Sequence, residues 1–122
     1  MGKGLTQMDI RECYAAMGVD CSDVLRRLGS EARVKKFLTK ILEDKSFAHL
    51  LSALEEEDYV EAFRCAHSLK GVCLNLDLNP LQASSSELTE ALRGGAPDAD
   101  ISPLVEQVKL DYENMVRLVS QL

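Results

Sequence analysis

The sequence predicts an all-α fold: an antiparallel up-down four-helix bundle with short additional N-terminal helices. Three observations point there. Apolar residues recur at three- and four-residue spacing, no segment shows the alternation or β-branched density of a strand, and the connections between periodic segments are short. At 122 residues, 46% hydrophobic and 28% charged, the chain has the size and composition of a single domain. Its core bundle is expected over about 30–122 and its N-terminal adaptor helices over about 5–29. No internal repeat or low-complexity tract interrupts it.

A first short helix is expected over about Thr6 to Met17, closed by Gly18, and a second after Ser22, carrying Val24, Leu25 and Leu28 and stopped by Gly29. Ser30 can cap a longer helix whose stripe is Val34, Phe37, Leu38, Ile41 and Leu42, and Ser46 precedes a segment carrying Leu50, Leu51 and Leu54. The acidic run Glu55-Glu56-Glu57-Asp58 suits a helix N-terminus, where negative charge complements the macrodipole. The next helix is expected to start there and to run through His67 to about Leu76. Asn79-Pro80 reads as an N-cap followed by proline in the first helical position, with Gln82 placed as in a capping box. That helix carries Leu81, Leu88, Ala91 and Leu92 and closes at Gly94-Gly95. Pro97, Asp98, Asp100 and Ser102-Pro103 open the last one, whose stripe is Ile101, Leu104, Val105, Val108, Tyr112, Met115, Val116, Val119 and Leu122.

The net charge of −6 argues against nucleic acid and against an anionic membrane as partners, since both need a basic footprint. No apolar run suits a signal peptide, and nowhere do about eighteen apolar residues follow one another, so a cytoplasmic, unanchored chain is expected. Gly2 with Thr6 matches the N-myristoylation pattern, a short pattern often met by chance. Cys13, Cys21, Cys65 and Cys73 include no C-x-x-C pair and read as reduced, buried small hydrophobes. His49 and His67 have no clustered partners at ligand spacing, so no metal and no cofactor of its own is expected, and His49 reads as structural or incidental.

On a wheel that turns by roughly 100° per residue, Ala62, Cys65, Leu69, Cys73 and Leu76 fall opposite His67, on the side of the core. His67 therefore points to solvent. Val60, Phe63, Arg64, Lys70, Gly71 and Leu74 share its side, a mixture that core packing does not require and that suits a docking face; Ser68 is its neighbour. Gly71 lies one turn beyond His67, and a mid-helix glycine costs about 1 kcal/mol relative to alanine. Removing that side chain would clear a path for a partner's acidic pocket. Lys70, at the three-residue spacing, can swing its ammonium toward a phosphoryl group on the imidazole. A largely neutral imidazole can attack an aspartyl phosphate without a dedicated general base, and the metal ion that neutralises the transition state is then supplied by the partner.

The segment Ala66-His67-Ser68-Leu69-Lys70-Gly71-Val72-Cys73-Leu74-Asn75-Leu76 resembles the signature of histidine phosphotransfer (HPt) domains, A-H-x-L-K-G-x-x-x-N-L. The resemblance implies a reversible phosphocarrier in a two-component phosphorelay, with receiver domains of response regulators or hybrid kinases as partners. It makes His67 the phosphorylated residue, Lys70 the charge-balancing neighbour, Gly71 the clearance position, and Asn75 with Leu76 the end of the helix. Where the family often has glycine after Asn-Leu, this chain has Asp77, a departure that bears on the geometry of the helix end.

Other readings of the same residues stand beside this one. Lys70 also reads as a solvated helix lysine, Gly71 as a tight helix crossing, though its solvent-side place counts against that, and Val60, Phe63 and Leu74 as an extension of the core toward the N-terminal helices. A purely structural helical adaptor would tolerate replacement of His67. The dimerisation-and-phosphoacceptor helix pair of a sensor kinase also exposes a histidine, but continues His-Glu-(Leu/Ile)-Arg-x-Pro, whereas this chain continues Ser68-Leu69-Lys70-Gly71. A monomer is expected. Nothing in the sequence binds ATP or assembles acid, base and nucleophile for autonomous kinase activity.

Overall fold

The computed structural model describes residues 7–122; the Gly2 and Thr6 pattern and the start of the first predicted helix lie outside the described residues. The described chain is all-helical: α1 Ile10–Ala16, α2 Ser22–Leu28, α3 Glu31–Ile41, α4 Ser46–Glu55, α5 Tyr59–Asn75, α6 Asn79–Leu92 and α7 Ser102–Val119. None of these helices is long and apolar enough to cross a membrane.

Most helix ends fall where turn and cap chemistry put them. α1 is shorter than expected and opens on a capping box unmarked in the sequence reading: Glu12 N–H donates to Asp9 Oδ1 at 2.8 Å and Asp9 N–H to Glu12 Oε1 at 2.9 Å. Gly29 ends α2 with φ +99, and Ser30 caps α3 by accepting from Arg33 N–H at 3.2 Å. Within the predicted α3 stripe Val34, Leu38 and Ile41 are buried, but Phe37 and Leu42 are each 37% exposed, because the short α1 and α2 leave the edge of the stripe open.

The acidic run does not open α5 as a block. Glu55 is the last residue of α4, Glu57 takes the left-handed conformation (φ 57), and only Asp58 caps α5, accepting from Glu61 N–H at 3.2 Å. The backbone accounts for this: Asp58 N–H donates back to Ala53 O at 2.8 Å and closes the end of α4 before α5 begins. The next junction also departs from expectation. Asn79 is not the N-cap of α6; that position falls on Leu78, without a side-chain cap, and Pro80 lies in the first turn. Burial of Leu76 and Leu78 and the bond from Leu78 N–H to Cys73 O at 3.0 Å fold the chain back so tightly that α6 starts one residue early. At the start of α7 the cap position is Ile101, while Asp100 accepts from Ser102 N–H at 2.9 Å. Of its predicted stripe Val108, Met115 and Val119 are buried, together with Leu118, and the rest pack half-buried against the core.

α5 packs against α4 and α6, and α6 against α7; Phe47 of α4 stacks on Tyr112 of α7, with ring centroids 4.0 Å apart. α2 lies on α3, and α1 touches α3 and α7, where Met8 N–H donates to Gln121 O at 2.7 Å. Besides aliphatic residues the core holds Tyr14, the four cysteines and, as its buried polar residues, Ser84, Ser85 and Thr89 on α6. Their hydroxyls stay satisfied by donating to carbonyls of their own helix, as in Ser85 to Leu81 O and Thr89 to Ser85 O, both at 2.7 Å.

Candidate functional site

α5 presents two opposed faces. Ala62, Cys65, Leu69, Cys73 and Leu76 are buried as the wheel predicts, and so is Ala66. His67 stands at the middle of the helix on the exposed side, with Arg64, Ser68 and Gly71 also exposed and Phe63 and Lys70 half-buried. Val60 is 69% exposed and Leu74 58%, so these two do not extend the core toward α1 and α2; they flank the histidine about two turns away on either side.

A Cβ placed on Gly71 would meet no atom within 4 Å. No helix crossing therefore needs this glycine, and the helix carries its conformational cost without any internal gain. Lys70 makes no ion pair among the described residues, whereas Arg64 is tied to Glu61 at 2.6 Å. His49 is exposed on α4.

Packing of α6 on α5 adds two residues that the sequence reading did not single out. The guanidinium of Arg93 lies 5.1 Å from the centroid of the Phe63 ring, and that ring is nearly parallel to the His67 imidazole, 12° between planes and 6.0 Å between centroids. Glu90 holds Arg93 in a forked pair at 2.7 and 3.1 Å. Arg93 holds the Glu90 carboxyl below the usual carboxylate range, and Lys70 and His67 add to the effect. The i,i+3 spacing of Glu90 and Arg93 was legible in the sequence, but only helix packing brings the pair to Phe63. A small hollow of about 170 Å³ between Val60, Phe63, Arg64, Leu92, Gly94 and Gly95 continues this surface. Larger hollows of about 380 and 590 Å³ lie elsewhere and do not include His67.

The far end of α5 is held by the N-terminal helices. Asp77 occupies the left-handed position after the helix (φ 53), and Asp77 N–H and Leu78 N–H turn back to Leu74 O and Cys73 O. An aspartate thus makes the turn that glycine makes most cheaply. Its carboxylate accepts from Arg27 at 2.8 Å, and Arg27 also donates to Asn75 O at 3.0 Å. The buried Tyr14 hydroxyl donates to Leu76 O at 2.6 Å, and burial raises its phenol far above the ordinary tyrosine range.

All four cysteines are free and buried; burial pushes Cys13 up to about 11 and Cys73 up to about 12, which makes thiolate chemistry unfavourable there. The arrangement offers one exposed imidazole, an ammonium at the three-residue spacing without an ion pair among the described residues, open space one turn along, and a rim of apolar and paired charged groups. A model of the Hpt domain family matches residues 34–118, well over half of the chain. No curated protein and no solved structure matches it.

Proposed function

Because the chain belongs to the Hpt domain family, whose members carry out histidine phosphotransfer in phosphorelays with receiver domains, we propose that His67 is its phosphoacceptor. In this reading a neutral ring nitrogen of His67 attacks the phosphorus of a receiver's aspartyl phosphate. An N–P bond forms, the acyl P–O bond breaks, and its electron pair leaves with the aspartate carboxylate. The reverse step delivers the group to a second receiver. Lys70 offsets charge on the phosphoryl group, Gly71 leaves room for the receiver's acidic pocket, and Val60, Phe63, Arg64, Ser68 and Leu74 form the surrounding contact surface. The chain brings no cofactor; the divalent metal belongs to the receiver.

The observation that carries this reading is the empty space at Gly71 beside an exposed His67: a helix-weakening residue with no internal purpose is explained by something that arrives from outside. The same reading takes α4 to α7 as an antiparallel up-down bundle within one domain, supported by the packing of successive helices across short connections. A cytoplasmic monomer is the matching state.

The test is transfer of label from a phosphorylated receiver to the chain and to His67→Gln, scored by acid lability of the product. Acid-labile label on the wild type alone is the expected result. Equal label on both, or none from a panel of receivers, would return the chain to a structural helical adaptor.

A further inference from the structure

We propose that Phe63 and Arg93 form a positioning stack for His67: Glu90 fixes the Arg93 guanidinium, the guanidinium covers the Phe63 ring, and Phe63 holds the imidazole in one orientation toward the incoming receiver. The inference rests on the reading of His67 as phosphoacceptor and deepens it by naming residues that control the ring without touching the phosphoryl group.

An imidazole exposed in the middle of a helix samples several rotamers, and only those aimed outward can meet a receiver's phosphorus in line. His67 is restrained on the side of Phe63, four residues earlier on the same face, by the nearly parallel rings described above. Phe63 would itself be mobile if it stood free on that surface. It is half-buried instead, near both the imidazole and the Arg93 guanidinium, which α6 supplies as the residue that ends the helix. The forked pair with Glu90 keeps Arg93 in place, and Gly94 and Gly95, both at positive φ, follow it and line the hollow beside Phe63. Phe63 packs against the edge of the core while Glu90 and Arg93 are exposed, so the guanidinium covers the ring from outside the buried set.

The experiment compares the full chain with Phe63→Leu, Arg93→Gln and Arg93→Lys by saturation kinetics of phosphotransfer from a receiver. Rotamer averaging of the His67 ring is measured by NMR in the same four proteins. A loosened ring should lower kcat about tenfold in Phe63→Leu and about threefold in Arg93→Gln, with KM changed less than about twofold, because misorientation affects the reaction step. Arg93→Lys should recover part of the loss by keeping a cation over the ring. The NMR data should show one dominant rotamer in the wild type and averaging in Phe63→Leu. A loss confined to KM would make Phe63 a docking contact only and overturn the proposal, as would equal averaging in wild type and Phe63→Leu. If the wild type takes no label, the phosphoacceptor reading fails, and the NMR comparison still decides the stack.

Discussion

The outward face of α5 and its C-terminal end belong to one helix but are built on opposite terms. The end is closed by the protein itself: Tyr14 and Arg27 reach from α1 and α2 to the carbonyls of Leu76 and Asn75, and Asp77 takes a conformation unfavourable to a side chain while its carboxylate pairs with Arg27. The face is left open. It spends helix propensity at Gly71, exposes Val60 and Leu74, and leaves Lys70 without an ion pair among the described residues. Where a helix end has its polar groups answered internally, the interactions serve the fold; where a helix face carries costs that nothing internal offsets, the proposed reading takes them to serve a partner from outside the chain.

The contrast can be broken by separating phosphotransfer from stability. The largest effect is expected from Gly71→Phe, which should lower transfer by about a hundredfold by holding the receiver off the imidazole, with helicity and Tm nearly unchanged. Retained transfer would mean that the open space is not used. At the other end, Tyr14→Phe removes the donor to Leu76 O and should cost about 1 to 3 kcal/mol in denaturant unfolding, because it leaves a buried carbonyl unanswered. Its transfer rate should match the wild type, and a slowed rate would couple the two regions.

Gly71→Ala sharpens the comparison from the open side. It should raise stability by about 1 kcal/mol, since a Cβ there meets nothing and alanine is the better helix former. A loss of stability would instead reveal an internal role for the glycine. Arg27→Gln should be milder than Tyr14→Phe, because its pairs face solvent. Hydrogen bonds from Arg27 and Arg26 hold the Asp23 carboxyl below its ordinary value of 3.8. The stability that Asp23 contributes is therefore present above that value and is lost as pH falls below it. Thermal melts of wild type and Arg27→Gln should accordingly converge on acidification; a gap that stays constant would assign the effect to the neutral acceptor Asn75 O instead.

Much of this organisation was legible in the chain. The burial of Ala62, Cys65, Leu69, Cys73 and Leu76 opposite His67 follows from helical periodicity alone, and Gly29 and Ser30 mark their helix ends by backbone conformation and side-chain capping. The junctions were less legible. Glu55 to Asp58 read as a single helix start, and Asn79 as a cap, because local rules cannot weigh a turn held by long-range burial; Leu76 and Leu78 decided the second junction by entering the core.

What the sequence by itself determined is the helical class and which face of α5 turns outward, since 3.6-residue periodicity, capping side chains and the cost of a mid-helix glycine act over a few residues. Only the tertiary structure decided that Arg93, held by Glu90, stands over Phe63 and that Tyr14 and Arg27 close the helix end. Those contacts join residues 30, 62 or 48 positions apart along the chain, and they arise from how whole helices pack.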